Sequence, residues 1–199
     1  MNAFLEIRDL GFAWPGQAPL FARLSAALGP GLGLVSGDEQ RGKTTLLRLL
    51  AAEIRPQAGT MQLAGQGIGD KRAGLRPDMT RPDLDAVVVA DWLRKQVPEG
   101  PARDRLDDHI DGLSLGEHLH KGFYMLSAGG RRKVGLAAAM ALQPPLTLLD
   151  QPFAALDLAS IRYFTDWLRE QSRATDRLVL LADYEAPADL AIAQRIDLG

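Results

Sequence analysis

The run Gly37-Asp38-Glu39-Gln40-Arg41-Gly42-Lys43-Thr44 constrains this chain more than any other feature. It has the spacing G-x4-G-K-[ST]. An apolar, strand-like stretch (31–36, GLGLVS) precedes it, and a helical pattern with leucines at helical spacing (43–53) comes after it. The residue types suit one task. Glycines let the backbone turn so that successive N–H groups surround phosphate oxygens. A helix N-terminus adds a favourable dipole for an anion. Lys43 is placed to reach the β- and γ-phosphates, and the Thr44 hydroxyl to ligate Mg²⁺. Asp38 and Glu39 bring negative charge to a phosphate site, so they are expected to point to solvent and to supply only backbone N–H groups.

A second cluster completes the pattern. The apolar run 146–150 (LTLLD) reads as a buried parallel strand ending on Asp150, roughly a hundred residues after the loop, a separation common in such domains. A carboxylate at the C-terminal end of a parallel strand is where Mg²⁺ is held in P-loop proteins. Upstream, LSAGG (126–130) opens an alanine-rich helical run to Leu142. Ser127 is a good N-cap, and Gly129 and Gly130 leave backbone amides open to an anion. Taken alone, the segment is also an ordinary capped helix start.

Strand-like segments at 3–8, 31–36, 58–64, 146–150 and 177–183 alternate with helical ones at 43–53, 127–142 and 161–171. That alternation predicts an α/β fold with a mainly parallel sheet, and with the loop at 37–44 the expected class is a P-loop NTPase with a small N-terminal antiparallel β part. Residues 86–122 carry two or three helical patterns and interrupt it. They point to a helical subdomain at about 85–142, inserted into one domain over residues 1–199. A formal net charge of -2 gives no basic field, so no nucleic-acid partner is expected. With no cysteine, disulfides and thiolate metal sites are excluded. No signal peptide is evident, and no stretch reaches the roughly 18 apolar residues of a membrane helix, so a cytoplasmic protein is expected.

Read in order, Trp14 in FAWPG, GDEQRGKTT, LSAGG, LTLLD and AALD (154–157) resemble the ATP-binding-cassette (ABC) ATPase family over essentially the whole chain. LSAGG resembles the family signature LSGGQ, and AALD its D-loop. The resemblance implies that Trp14 stacks on adenine, although a plain surface or core aromatic fits the same place. It implies that residues 37–45 hold the phosphates of ATP and that Thr44 and Asp150 serve Mg²⁺. Ser127, Gly129 and Gly130 would contact the γ-phosphate held by a second copy, and Asp157 would communicate across the dimer. The basic run Arg131-Arg132-Lys133 is read as a solvated helix face. The implied assembly is a head-to-tail homo- or heterodimer with a membrane permease, peripheral at the cytoplasmic face of the inner membrane. The short length also resembles compact exporter subunits such as that of the haem exporter of cytochrome c maturation.

Three positions depart from the family. Its catalytic Glu is here Gln151, an amide that orients water but has no carboxylate to accept a proton. Its switch histidine falls on Asp183 or Tyr184, because His109, His118 and His120 all lie in the helical middle. Its Mg²⁺-sensing Gln falls near 76–81 (RPDMTR), where Asp78 is the best polar substitute. Three readings are open: a transporter ATPase subunit, a nucleotide-gated module whose hydrolysis is dispensable, and a permease-free ABC protein acting on nucleic acid or ribosomes. Charge argues against the third. Loss of a positioned base costs about 10²–10⁴-fold in rate, so nucleotide binding is expected to persist with slow or absent turnover. Phosphate release from the purified protein at ordinary family rates, abolished by Lys43→Ala, would contradict this.

Overall fold

A computed structural model describes residues 3–68, 76–185 and 190–199. The chain forms two compact units, one from Met1–Arg76, Pro144–Gln151 and Leu168–Gly199, the other from Pro77–Gln143 and Pro152–Trp167.

The first unit carries two sheets. β1 (Leu5–Phe12) pairs antiparallel with β2 (Phe21–Leu28) on one side and β4 (Ala58–Leu63) on the other, and the short β5 (Gln66–Gly67) closes that sheet in the order β2-β1-β4-β5. The second sheet is parallel, with β6 (Leu146–Asp150), β7 (Leu178–Ala182), β3 (Gly31–Ser36) and β8 (Gln194–Asp197) in the order β6-β7-β3-β8. Helix α1 (Lys43–Leu50) comes after β3. Its leucines 46, 47, 49 and 50 join Leu5, Ile7 and Leu10 of β1, Leu146 and Leu148 of β6, and Leu178 and Leu180 of β7 in one buried cluster. β3, β6 and β7 are apolar along almost their whole length, as a sheet covered on both faces requires.

The structure differs from the sequence reading in identifiable ways. Among the described residues, the antiparallel sheet has four strands, as many as the parallel one. β2 and β8 were not expected. β2 buries only its end residues Phe21 and Leu28, and β8 buries only Ile196. Both are edge strands that lean on backbone pairing more than on an apolar face, so period-two reading misses them. β1 runs to Phe12 because irregularities in its register at 7–12 shift the pairing without ending it.

The second unit is helical, with α2 (Val89–Gln96), α3 (Pro101–Gly112), α4 (Ala128–Leu142) and the first turns of α5 (Leu158–Gln171). α4 is buried on nearly all sides from Val134 to Ala141, and its small residues let neighbours approach its backbone. Arg105 of α3 donates to the Ala141 carbonyl at 2.9 Å. Phe153, Phe164 and Trp167 form a second aromatic packing group, with ring centroids 5.1 and 5.9 Å apart. Gly129, in the first turn of α4, sits so close to the chain at Ala155 that a Cβ there would lie 2.1 Å from the Ala155 carbonyl oxygen. Asp157 caps α5 by accepting the Ser160 N–H at 2.9 Å and pairs with Lys133 at 2.5 Å.

Two outcomes are expected. Gly129→Ala must push the 154–157 segment away, costing about 1–3 kcal/mol in the manner of an overpacked core, read as a lower denaturant midpoint. The Asp157 carboxyl is held well below the usual carboxylate range, first by the Lys133 hydrogen bond and then by the Ser160 N–H. A depressed native pKa contributes stability above the unfolded value, near about 3.9, and loses it as pH falls toward the native value. The destabilisation by Asp157→Asn is therefore expected at neutral pH and should shrink below about pH 4. It is small, because the carboxylate is 55% exposed and solvent screens it.

Candidate functional site

Parallel pairing sets the site. Val35 of β3 lies opposite Ala182 of β7, and Ala182 lies opposite Asp150 of β6. All three strands run the same way, so the segments after them emerge at one edge of the sheet: the 37–42 loop after β3, Asp183-Tyr184 after β7, Gln151 after β6. Backbone bonds continue the ladder past the strand ends, from the Asp183 N–H to the Val35 carbonyl (3.2 Å) and from the Gln151 N–H to the Ala182 carbonyl (2.8 Å). Ligands of such sheets bind beyond the carboxyl ends of the strands.

The loop itself turns as its glycines allow. Gly42 has φ 93° and caps α1, its carbonyl accepting the Leu46 N–H at 2.8 Å. A Cβ there would lie 2.8 Å from both Leu20 Cδ2 and Phe21 Cζ, so only glycine fits without repacking. Gln40 also takes a left-handed conformation, with φ 62°. Asp38, Glu39, Gln40, Arg41 and Thr44 are at least partly exposed, whereas Lys43 and Thr45 are buried. The Lys43 ammonium turns into the loop, donating to the Gly37 carbonyl at 2.5 Å and the Asp38 carbonyl at 2.8 Å.

Of the two residues left open at the switch position, Tyr184 reaches the loop. Its ring centroid lies 4.2 Å from Lys43 Nζ, and its hydroxyl donates to Glu39 Oε1 at 3.1 Å. Partial desolvation first, and the Glu39 carboxylate second, push the Tyr184 phenol above its usual value, so it stays a protonated donor. The Asp183 carboxylate instead folds back to accept the Tyr184 N–H at 2.9 Å. Glu39 therefore does more than contribute a backbone N–H. Its signal in the sequence was weak, a carboxylate where phosphate is expected, with no hint of its partner.

Asp150 ends β6 and Thr44 lies in the first turn of α1, both presenting hard oxygen donors. Two such donors fit Mg²⁺, which takes few protein ligands and completes its shell with water and substrate phosphate. Among the described residues, no group of three or more His, Asp or Glu forms a self-contained metal site. Trp14 packs edge-on to Phe12 at 5.1 Å, with the Arg48 guanidinium 5.5 Å from its ring. Its segment is pinned by Gln57, whose amide bonds both the N–H and the carbonyl of Ala13 at 2.8 and 3.0 Å.

The signature residues lie in the other unit. Ser127 is the N-cap of α4, its Oγ accepting the Gly130 N–H at 3.1 Å, and Gly129 and Gly130 are buried. The basic run is not a plain solvated face. Arg131 pairs with Asp85 at 2.5 Å, Arg132 donates to the Ala154 carbonyl and Lys133 holds Asp157. The last two bonds tie the start of α4 to the AALD segment, because each long side chain has a carboxylate or carbonyl within its reach. Asp78 accepts the Thr80 N–H and hydroxyl at 3.0 and 2.7 Å in a local turn.

Among the described residues, no helix is long and apolar enough to cross a membrane. A family model described as ABC transporter matches residues 28–154. The chain is 30% identical to the cobalt import ATP-binding protein of Rhodobacter capsulatus, over 100% of this chain and 76% of that protein. It is 34% identical to the cytochrome c biogenesis ATP-binding export protein of Rhodospirillum rubrum, over 85% of this chain and 76% of that one. A solved ATP-binding subunit of an ABC transporter superposes with a TM-score of 0.79 at 21% identity, covering 90% of this chain and 79% of that one, which supports the fold. The strand–loop–helix around Lys43, the three strand ends in register and the family match over residues 28–154 together make this chain a member of the ABC transporter family of ATP-binding proteins.

Proposed function

We propose that the chain binds MgATP on the loop at residues 37–45, and that in a head-to-tail dimer it powers or gates a membrane permease. The observation that carries this reading is the shared edge of β3, β7 and β6. It gathers the Lys43 loop, Tyr184 and Asp150-Gln151 into one row. On binding, Lys43 exchanges the Gly37 and Asp38 carbonyls for phosphate oxygens, a charge-assisted contact. The loop amides and the start of α1 hold the remaining phosphate charge. Trp14 offers adenine the aromatic surface that Arg48 leaves open. Ser127, Gly129 and Gly130 would meet the triphosphate held by a second copy, with Asp157 near the same contact. Thr44 and Asp150 would hold Mg²⁺, which neutralises phosphate charge when bound.

The relatives' names point in opposite directions, one to cobalt import and one to export in cytochrome c biogenesis. That division suits an engine whose cargo is chosen by its membrane partner, working at the cytoplasmic face of the inner membrane.

A second reading is favoured by one observation. At the place of the family's general base stands Gln151, in a left-handed turn with φ 44° directly after Asp150. An amide there positions a donor or a water but removes no proton. Closure on ATP, more than its hydrolysis, would then be the functional event.

Calorimetry with MgATP, gel filtration and phosphate release on the same sample separate the readings. Binding and dimer formation with little phosphate release support the nucleotide-gated module, and brisk release supports the transporter ATPase. Absence of binding removes both. Gln151→Glu is expected to raise turnover by about 10²-fold or more if the rest of the site is competent. An unchanged rate in that variant would assign the defect to the switch position as well.

A further inference from the structure

Glu39 is an unexpected residue for a loop that holds phosphate, since its carboxylate repels the ligand. Here it has a partner. The Tyr184 hydroxyl donates to it at 3.1 Å, and the Tyr184 ring then covers Lys43 Nζ at 4.2 Å. Beneath the ring, the ammonium is already engaged with the Gly37 and Asp38 carbonyls. The strongest phosphate attractor in the loop is thus occupied from below and roofed from above.

We propose that Glu39 and Tyr184 form a latch over Lys43 that must open before a phosphate chain can enter the loop. Three features support it. The roof comes from the end of β7 and the catch from the loop after β3, so one hydrogen bond joins two separate segments. That bond runs from a neutral donor to a charged acceptor, the stronger class. The Tyr184 ring is also held by its attraction to the cation, which phosphate would replace as the counter-charge. An incoming triphosphate competes for Lys43 and repels Glu39, so both halves of the latch weaken together. Glu39 and Tyr184 are positioning residues in this account, controlling access to Lys43.

The inference rests on the reading that the loop binds nucleotide, and the test keeps the two apart. MgATP binding is measured by calorimetry and its association rate by stopped-flow, for the wild-type chain, Lys43→Ala, Tyr184→Phe, Glu39→Ala and the double variant. Tyr184 is 45% exposed and Glu39 is exposed, so these two changes are expected to leave thermal midpoints within about 2 °C. Loss of one such hydrogen bond should tighten binding about threefold in each single variant, mainly through faster association. Glu39→Ala also removes charge repulsion, so the cycle decides. A latch predicts that the double variant binds no tighter than the better single one. Independent gains multiplying to about ninefold overturn the latch and leave charge alone as the cause. Unchanged or weaker binding by Tyr184→Phe also overturns it. If the wild-type chain binds and Lys43→Ala does not, the nucleotide reading stands whatever the cycle gives. If the wild-type chain does not bind, that reading falls and the latch with it.

Discussion

One row of backbone hydrogen bonds governs this site: the parallel register that sets Val35, Ala182 and Asp150 side by side. A shift of one residue in β7 would send the Asp183-Tyr184 pair to the wrong faces and separate the tyrosine from both Glu39 and Lys43. The register is held by strands that are apolar on both faces, so any slip would move a leucine out of its packing. Core packing and site geometry are in this sense one constraint. The same leucines that bury against α1 decide where the three loops emerge.

The loop after β3 depends on the residues under it. Gly42 turns at φ 93° directly against Leu20 and Phe21, so the start of α1 is fixed by β2 and the segment before it. With α1 fixed, Lys43 can turn inward and use two loop carbonyls as acceptors. A buried ammonium needs such partners. In this arrangement, the Lys43 charge stabilises the loop's own turn.

The second unit is held by contacts of a different kind. Arg131, Arg132 and Lys133 each reach a carboxylate or carbonyl, at Asp85, Ala154 and Asp157. Gly129 allows the Ala155 carbonyl to approach where no side chain would fit. The signature segment and AALD are therefore one packed element. This gives the signature glycine an internal role within its own unit, beside any role toward a nucleotide of a second copy.

Much was legible in the sequence. The bounds of β3 and β6, the start of α1 at Lys43 and the Ser127 cap of α4 come from local pattern, because apolar runs, glycine turns and caps act over a few residues. β2 and β8 were not legible, since edge strands gain their place from a neighbour's backbone more than from their own side chains. Nor was the choice between Asp183 and Tyr184, or a partner for Glu39, 145 positions away along the chain. The sequence by itself determined that a glycine-bearing loop leads from an apolar strand into a helix at Lys43, and that a second apolar strand ends on Asp150 with Gln151 after it. Only the tertiary structure decided which side chains meet above Lys43, because that depends on the register of three strands distant in sequence and on where their ends bring the loops.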